Sequence, residues 1–131
     1  MMVHTMHNAF PFYVAAFIAV AVLIIGCSYL VAPEKAVGSF GLKLPALDPD
    51  TRAWLRLKGI RDVTLGLLVL TLMATAEKRV VGITLLVSAI VPFGDMSIIL
   101  ASGGSKMKAF SIHGVTCAVI LIVGLLLLHA R

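Results

Sequence analysis

Charged residues are scarce in this chain. Only 13% of its 131 residues are Asp, Glu, Lys or Arg, whereas 60% are hydrophobic and the mean hydropathy is +1.08. A soluble domain of this length needs more polar surface, so the composition excludes one and predicts an integral membrane protein. Four spans of about 20 residues would use most of the chain. We therefore expect a single domain over residues 1–131, with no separate soluble module.

Several common motifs are missing as well. The net charge of +5 comes from scattered Lys and Arg residues, without a basic run or interleaved aromatic residues, so we expect no nucleic-acid partner. Cys27 and Cys117 lie in different apolar segments and form no CxxC motif, which disfavours a redox pair and predicts two small buried residues. No Lys or Arg precedes the first apolar run, and the run is too long for a signal-peptide core, so we expect it to be retained.

Four apolar segments predict the fold. The spans cover approximately residues 10–32, 49–76, 80–101 and 107–130. Asp48 and Pro49 are typical of an N-cap and a first helical residue, and the third span stops at Gly103. Because the links between the last three spans are short, those spans must be antiparallel neighbours. The sequence therefore predicts an all-α, four-helix antiparallel membrane bundle.

The connection between the first two spans is too long for a tight turn. Residues 33–40 favour a short helix that begins at Pro33 and stops at Gly41, and residues 42–47 continue with apolar residues. We expect this loop to lie on the membrane surface. It is either a lid over a site or a connector that anchors the bundle.

The basic residues suggest an orientation. Five of them flank the first and third loops, and three lie on the opposite side: Lys35, Lys43, Arg52, Lys106 and Lys108 against Lys78, Arg79 and Arg131. The excess favours a cytoplasmic location for the loops between spans 1 and 2 and between spans 3 and 4.

Each span carries a narrow face of small or polar residues. In the first span this face contains Ala15, Ala19, Gly26 and Tyr29; in the third, Thr84, Ser88, Asp95 and Ser102; in the fourth, His113, Cys117 and Gly124. Small residues allow membrane helices to approach closely, so we expect Ala15, Ala19, Gly26, Gly66 and Gly124 to serve packing, whereas Asp95 is expected to be functional.

Titratable residues occur on three of these spans at similar depth. Arg61 and Asp62 lie about 10 residues into the second span, Asp95 about eight residues before the end of the third, and His113 about six residues into the fourth, so all occupy one leaflet. Lys58 lies one turn from Asp62 on the same face. Charged groups at membrane depth are costly and usually serve a function. The spacing therefore predicts one shared polar site.

The motifs that surround these residues resemble those of a known family. The motifs are Pro33-Glu34, Phe40-Gly41, Lys58-Gly59-Ile60-Arg61-Asp62 with Gly66, Pro92 with Asp95, and His113. The family is a little-characterised domain of unknown function with four spans, similar in size and layout to DoxX-like proteins, and the resemblance covers nearly the whole chain. Some such proteins accompany fungal polyketide tailoring enzymes, so the resemblance implies a lipophilic substrate and ring-opening or ring-closing chemistry.

The residue types suggest general acid–base catalysis. Asp62, held ionised by nearby cations, would act as the base, and the isolated Asp95 as the acid. Arg61 would hold a carboxylate and His113 would orient one or relay its proton. Two carboxylates held by an arginine are similar to the arrangement in limonene-type epoxide hydrolases, an analogy across unrelated folds.

We expect four further residues to contact the substrate: Lys58, Tyr29, Ser88 and Trp54. The expected function is epoxide hydrolysis or cyclisation of a polyketide-like or terpenoid-like molecule, by a chain that lies in the bilayer as a monomer or a homo-oligomer. One alternative is a proton-coupled transporter or binding protein for a lipophilic anion. Another is a structural assembly factor whose charges only set helix register. The cations beside Asp62 disfavour a metal ion, and no cofactor is expected.

Overall fold

Helices dominate the chain. The computed structural model describes residues 2–43 and 46–130, with side chains from Ala9 onward. Its α-helices are α1 (Met2–Val31), α2 (Pro33–Ala36), α3 (Pro49–Thr75), α4 (Lys78–Ser88), α5 (Ile90–Ala101), α6 (Lys106–Lys108) and α7 (Val115–Leu128). A 3-10 turn over Val37–Ser39 follows α2, and a π-helix over Ala109–Gly114 joins α6 to α7. The described residues include no strand, as the sequence predicted.

Three helical segments are long and apolar enough to cross a membrane. They cover Ala9–Val31, Lys78–Ala101 and Lys106–Leu128. The segment predicted as the second span is also a helix, α3, and it is 27 residues long. The charged residues of α3 lie in its N-terminal half and its apolar residues in its C-terminal half, so its composition differs from that of the three segments above.

The predicted helix ends are confirmed at α3. The carboxylate of Asp48 accepts a hydrogen bond of 2.7 Å from the backbone N–H of Thr51, and Pro49 is the first helical residue. This backbone N–H lowers the pKa of the exposed Asp48 carboxyl below its ordinary value. The third predicted span ends as expected at Gly103, whose φ of +68° is in the left-handed region.

Two of the predicted spans are not continuous α-helices: the fourth includes the π-helix Ala109–Gly114, and the third consists of α4 and α5. The third changes from α4 to α5 at Ala89, three residues before Pro92, which has no N–H to donate to the carbonyl of Ser88. The thiol of the buried Cys117 donates to the carbonyl of Ala89 over 3.6 Å. Cys27, in contrast, is exposed, so the expectation that both cysteines are buried was wrong for that residue.

The bundle is built from two helix pairs. α1 packs mainly against α3, and α4 mainly against α7; smaller contacts of α1 with α7 and of α3 with α4 join the pairs. A Cβ atom at Gly59 would lie 2.8 Å from the carbonyl oxygen of Gly26, so α1 and α3 meet backbone to backbone. Buried apolar side chains fill the end of the bundle away from the loop that follows α1: Ala15, Ala19, Val69, Val81, Leu85, Ala89, Cys117, Ile120, Val123 and Leu127. At the other end, the two pairs enclose a cavity.

Candidate functional site

The cavity has a volume of about 360 Å³. Its wall is mostly apolar and includes Val22, Ile25, Leu65, Val91, Ile112 and Ile120. Polar side chains from every long helical segment also reach it, namely Tyr29, Lys58, Asp62, Ser88, Asp95, His113 and Thr116. Such a cavity, apolar with a few convergent polar groups, is typical of a site for a small lipophilic ligand.

Lys58 and Asp62 form one half of the polar site. The Nζ atom of Lys58 lies 2.6 Å from Oδ2 of Asp62, one helical turn away, and the Asp62 side chain is only 14% exposed. The same ammonium lies 4.8 Å from the ring centre of Tyr29 and 5.1 Å from that of Phe40. Two aromatic faces and one carboxylate therefore hold the Lys58 cation in place.

His113 and Asp95 form the other half. The Nε2 atom of His113 lies 3.1 Å from the backbone carbonyl oxygen of Phe40, and its Nδ1 atom lies 3.5 Å from Oδ2 of Asp95. A carbonyl oxygen only accepts hydrogen bonds, so Nε2 must carry a proton. The other ring nitrogen of His113, Nδ1, faces the Asp95 carboxyl at a distance longer than an ordinary hydrogen bond.

The helix around His113 is distorted in a way that fits this role. His113 lies in the π-helix Ala109–Gly114, and its side chain is buried against Phe40, with the two ring centres 4.8 Å apart in an edge-to-face arrangement. A π-helical turn widens the backbone locally, and such turns are often found at functional sites.

The loop after α1 closes the end of the cavity. Ser39 and Phe40 border it, and Gly41 adopts a φ of +112°, which stops the short helical segment where the sequence predicted. Phe40 contacts both halves of the polar site, because its ring lies beside Lys58 and its carbonyl accepts from His113. We call residues 33–41 the lid.

The lid is attached to both helix pairs. Its Glu34 pairs with Arg52 of α3 at 2.7 Å. On the other side, the carbonyl of Gly38 accepts from Nζ of Lys108 over 2.8 Å, and that of Gly41 accepts from the backbone N–H of Ser105 over 2.8 Å. The lid therefore bridges the two pairs across the open end of the cavity.

Most residues predicted for the site border this cavity. The structure brings together Asp62, Asp95, His113, Lys58, Tyr29 and Ser88. What each of them does chemically remains a prediction.

Two predicted site residues, Arg61 and Trp54, lie elsewhere. Both are exposed, Trp54 by 69%, and neither borders the cavity. The expected contact between Arg61 and a carboxylate was wrong: within the described structure Lys58 makes it instead. Helix geometry explains the difference, because Arg61 points about 60° away from Lys58 around the helix axis and about 100° away from Asp62.

Sequence reasoning missed the role of Phe40. The Phe40-Gly41 motif was noted, but an isolated phenylalanine in an apolar loop gives no sign that its ring and carbonyl will contact Lys58 and His113. Only the fold shows that contact. Among the described residues, no group of three or more His, Cys, Asp or Glu side chains is arranged to hold a metal ion.

The fold and the site together define a class of protein: a small helical bundle with helices of membrane-spanning length and a polar cavity between its helix pairs. The chain belongs to the family described as Domain of unknown function (DUF4267), whose family model matches residues 19–127. The match includes the lid and every polar residue of the cavity. No curated protein and no solved structure matches the chain.

Proposed function

We propose that this protein is a membrane enzyme that carries out general acid–base chemistry on a lipophilic small molecule. The observation that carries the proposal is the presence of two carboxyl groups in one apolar cavity with different partners, an ammonium ion for Asp62 and an imidazole for Asp95. Different partners make one carboxylate a base and let the other deliver a proton, a recurrent catalytic arrangement.

Epoxide opening is the specific reaction that we propose. Asp62 takes a proton from water while the water oxygen bonds to an epoxide carbon. The ring C–O bond breaks, and its oxygen takes a proton from the Asp95–His113 pair. The product is a diol, and transfer of one proton through water from Asp62 to the Asp95–His113 pair restores the resting state. In the related cyclisation, a hydroxyl group of the substrate replaces water.

The membrane arrangement in this proposal includes α3 as a fourth span. Its length of 27 residues exceeds the roughly 20 residues that cross a bilayer. Two of the three charges in its middle, those of Lys58 and Asp62, face the cavity and neutralise each other. The desolvation of α3 is therefore less costly than its composition suggests.

The cavity also supports the proposed class of substrate. Its volume of about 360 Å³ is near the lower end of the range for small-molecule sites, roughly 300–1,000 Å³. Ile25 and Ser28 of α1 and Ile112 of the π-helix line the cavity and are also exposed at the outer surface of the bundle. A terpenoid-like or polyketide-like molecule dissolved in the bilayer would enter between these helices.

The test is product formation by the purified protein in detergent, where no membrane gradient exists. A panel of lipophilic epoxides is incubated with the protein in water enriched in ¹⁸O, and the diols are analysed by mass spectrometry. The proposal predicts diols with one ¹⁸O atom from at least one substrate, and loss of this product in Asp62→Asn.

The rival function is proton-coupled transport of a lipophilic anion. It predicts that ligands bind without chemical change, and that uptake into proteoliposomes depends on a pH gradient and on Asp95. That combination of results would replace the enzymatic proposal.

A further inference from the structure

The cations of α3 differ in what neutralises them. Arg52 pairs with Glu34 at 2.7 Å, and Lys58 with Asp62 at 2.6 Å. Arg56 lies near enough to Glu34 to help lower the pKa of that carboxyl. Arg61 is exposed, and no carboxylate of the described chain lies within 4.0 Å of it. Arg56 has no carboxylate of the described residues within this distance either, so Arg61 is distinguished by its neighbours on the outer face of α3.

Arg61 shares its face of α3 with Trp54. The two are seven residues apart, which places them within about 20° of each other around the helix axis. Trp54 is 69% exposed, and Leu57 and Leu68 on the same side of the helix are 46% and 47% exposed. An exposed stripe with a tryptophan at one end and leucines along it is suited to lipid, with the indole at the level of the headgroups.

The orientation of side chains on α3 brings the guanidinium of Arg61 toward the headgroup level at which Trp54 lies. Arg61 lies about 10 Å further along α3 than Trp54. Side chains on a helix tilt toward its N-terminus, and a long arginine extends further in that direction while its stem stays in apolar surroundings. The charge therefore reaches back toward the headgroup region in which Trp54 lies.

We propose that Arg61 and Trp54 form a binding site for the headgroup of an anionic phospholipid on the outer face of α3. The planar guanidinium donates two parallel hydrogen bonds to phosphate oxygens, and the indole packs beside the glycerol and upper acyl chain. This inference rests on the membrane arrangement proposed above for α3, but not on any catalytic activity. It gives a role to the two residues that lie outside the cavity.

Trp54 provides the test because it is the only tryptophan in the chain. The protein is reconstituted in phosphatidylcholine bilayers that contain a small, equal fraction of either brominated phosphatidylglycerol or brominated phosphatidylcholine. Bromine atoms on an acyl chain quench the fluorescence of an indole in contact with them. We expect phosphatidylglycerol to occupy the site about fivefold more readily, the preference expected for one cation at an anionic lipid surface.

Arginine variants separate a site from general attraction to a basic surface. Arg61→Gln should abolish the preference for phosphatidylglycerol, and Arg61→Lys should keep part of it. Arg56→Gln removes an exposed cation on another side of the same helix and should leave the preference unchanged. Circular dichroism checks that each variant is folded.

Equal quenching of the wild type by both lipids would overturn the inference, as would an equal loss in the Arg56 and Arg61 glutamine variants. Because the measurement reports lipid contact, its outcome does not depend on whether any epoxide is turned over.

Discussion

His113 carries one fixed proton and one that can move. Its Nε2 proton is donated to the carbonyl of Phe40, and its Nδ1 atom faces the carboxyl of Asp95. In the proposed reaction the proton delivered to the substrate comes from the Asp95–His113 pair, while the Phe40 contact keeps the ring in place. Nε2 thus orients the imidazole, and Nδ1 is the nitrogen that faces Asp95.

This arrangement predicts the tautomer of His113. In ¹⁵N NMR spectra of protein labelled at histidine, we expect the neutral ring of His113 to carry its proton on Nε2. The peripheral His129 serves as an internal comparison. A neutral His113 ring protonated at Nδ1 would show that the contact with Phe40 does not form.

Lys58 is expected to be the structural cation of the site. Lys58→Met leaves the largely buried Asp62 carboxylate without its 2.6 Å partner and should lower the free energy of unfolding by about 1 to 3 kcal/mol. Unfolding in detergent measures it, with the exposed Arg56→Met as a control that should change stability by less than about 0.5 kcal/mol. Equal effects would mean that Lys58 is solvated.

For individual residues, the sequence predicted which side chains line the cavity more accurately than it predicted which of them form ion pairs. Depth along the spans was enough to bring Asp62, Asp95 and His113 to one cavity. Depth alone did not show whether Lys58 or Arg61 faces the cavity. The two side chains differ by only about 60° around the axis of α3, and the packing of α1 decides which of them points inward.

The lid is the element that joins the two helix pairs at the open end of the cavity. Its attachment to α3 depends on a titratable group, Glu34, whereas its attachments to Ser105 and Lys108, at the start and end of α6, use backbone carbonyls of the lid. A hydrogen bond from its own backbone N–H, and then the Arg52 guanidinium, hold the pKa of Glu34 below the ordinary value of 4.5.

The stabilising effect of Glu34 is therefore complete above about pH 4.5 and disappears as the pH falls through the lowered pKa. Hydrogen exchange at the amide of Phe40, corrected for the intrinsic rate, should show a lid that loosens only in that acidic range. Glu34→Gln should loosen it at neutral pH and remove the pH dependence. Because both side chains are about 40% exposed, the effect on global stability should be small. Identical protection in the variant and the wild type would argue against the tether.

The crossing of α1 and α3 should not tolerate a side chain at Gly59. A Cβ atom there would lie 2.8 Å from the carbonyl oxygen of Gly26, so Gly59→Ala should destabilise the fold by about 1 to 3 kcal/mol. Gly94 is the matched control, since a Cβ atom there meets nothing within 4 Å and alanine favours a helix. Melting in detergent should separate the two variants, and equal melting temperatures would contradict the close crossing.

Helix positions were largely predictable from the sequence, and their irregularities were not. Runs of apolar residues, Asp48-Pro49 and Gly103 marked the helical segments and several of their ends. The π-helix at His113 left no local signal in the sequence, and the contact of its buried ring with Phe40 joins distant parts of the chain.

At the scale of the whole molecule, two helix pairs are packed tightly at one end and separated by a polar cavity at the other. The tight end supplies a rigid base, and the lid spans the open end. This division places Lys58, Asp62, Asp95 and His113 at the wall of the cavity and leaves room for a ligand between the pairs. The composition indicated a membrane bundle, and the depth of Asp62, Asp95 and His113 along their helices predicted that they border one cavity, which the structure confirms.

The central claim is that Asp95 delivers a proton during a chemical reaction in this cavity. The most direct measurement compares Asp95→Asn with the wild type in detergent for both turnover and binding of the same lipophilic epoxide, with the exposed Asp50→Asn as control. We predict that Asp95→Asn lowers turnover by about 100-fold or more, because asparagine cannot act as the acid, while affinity changes little. Unchanged turnover in Asp95→Asn would contradict the account.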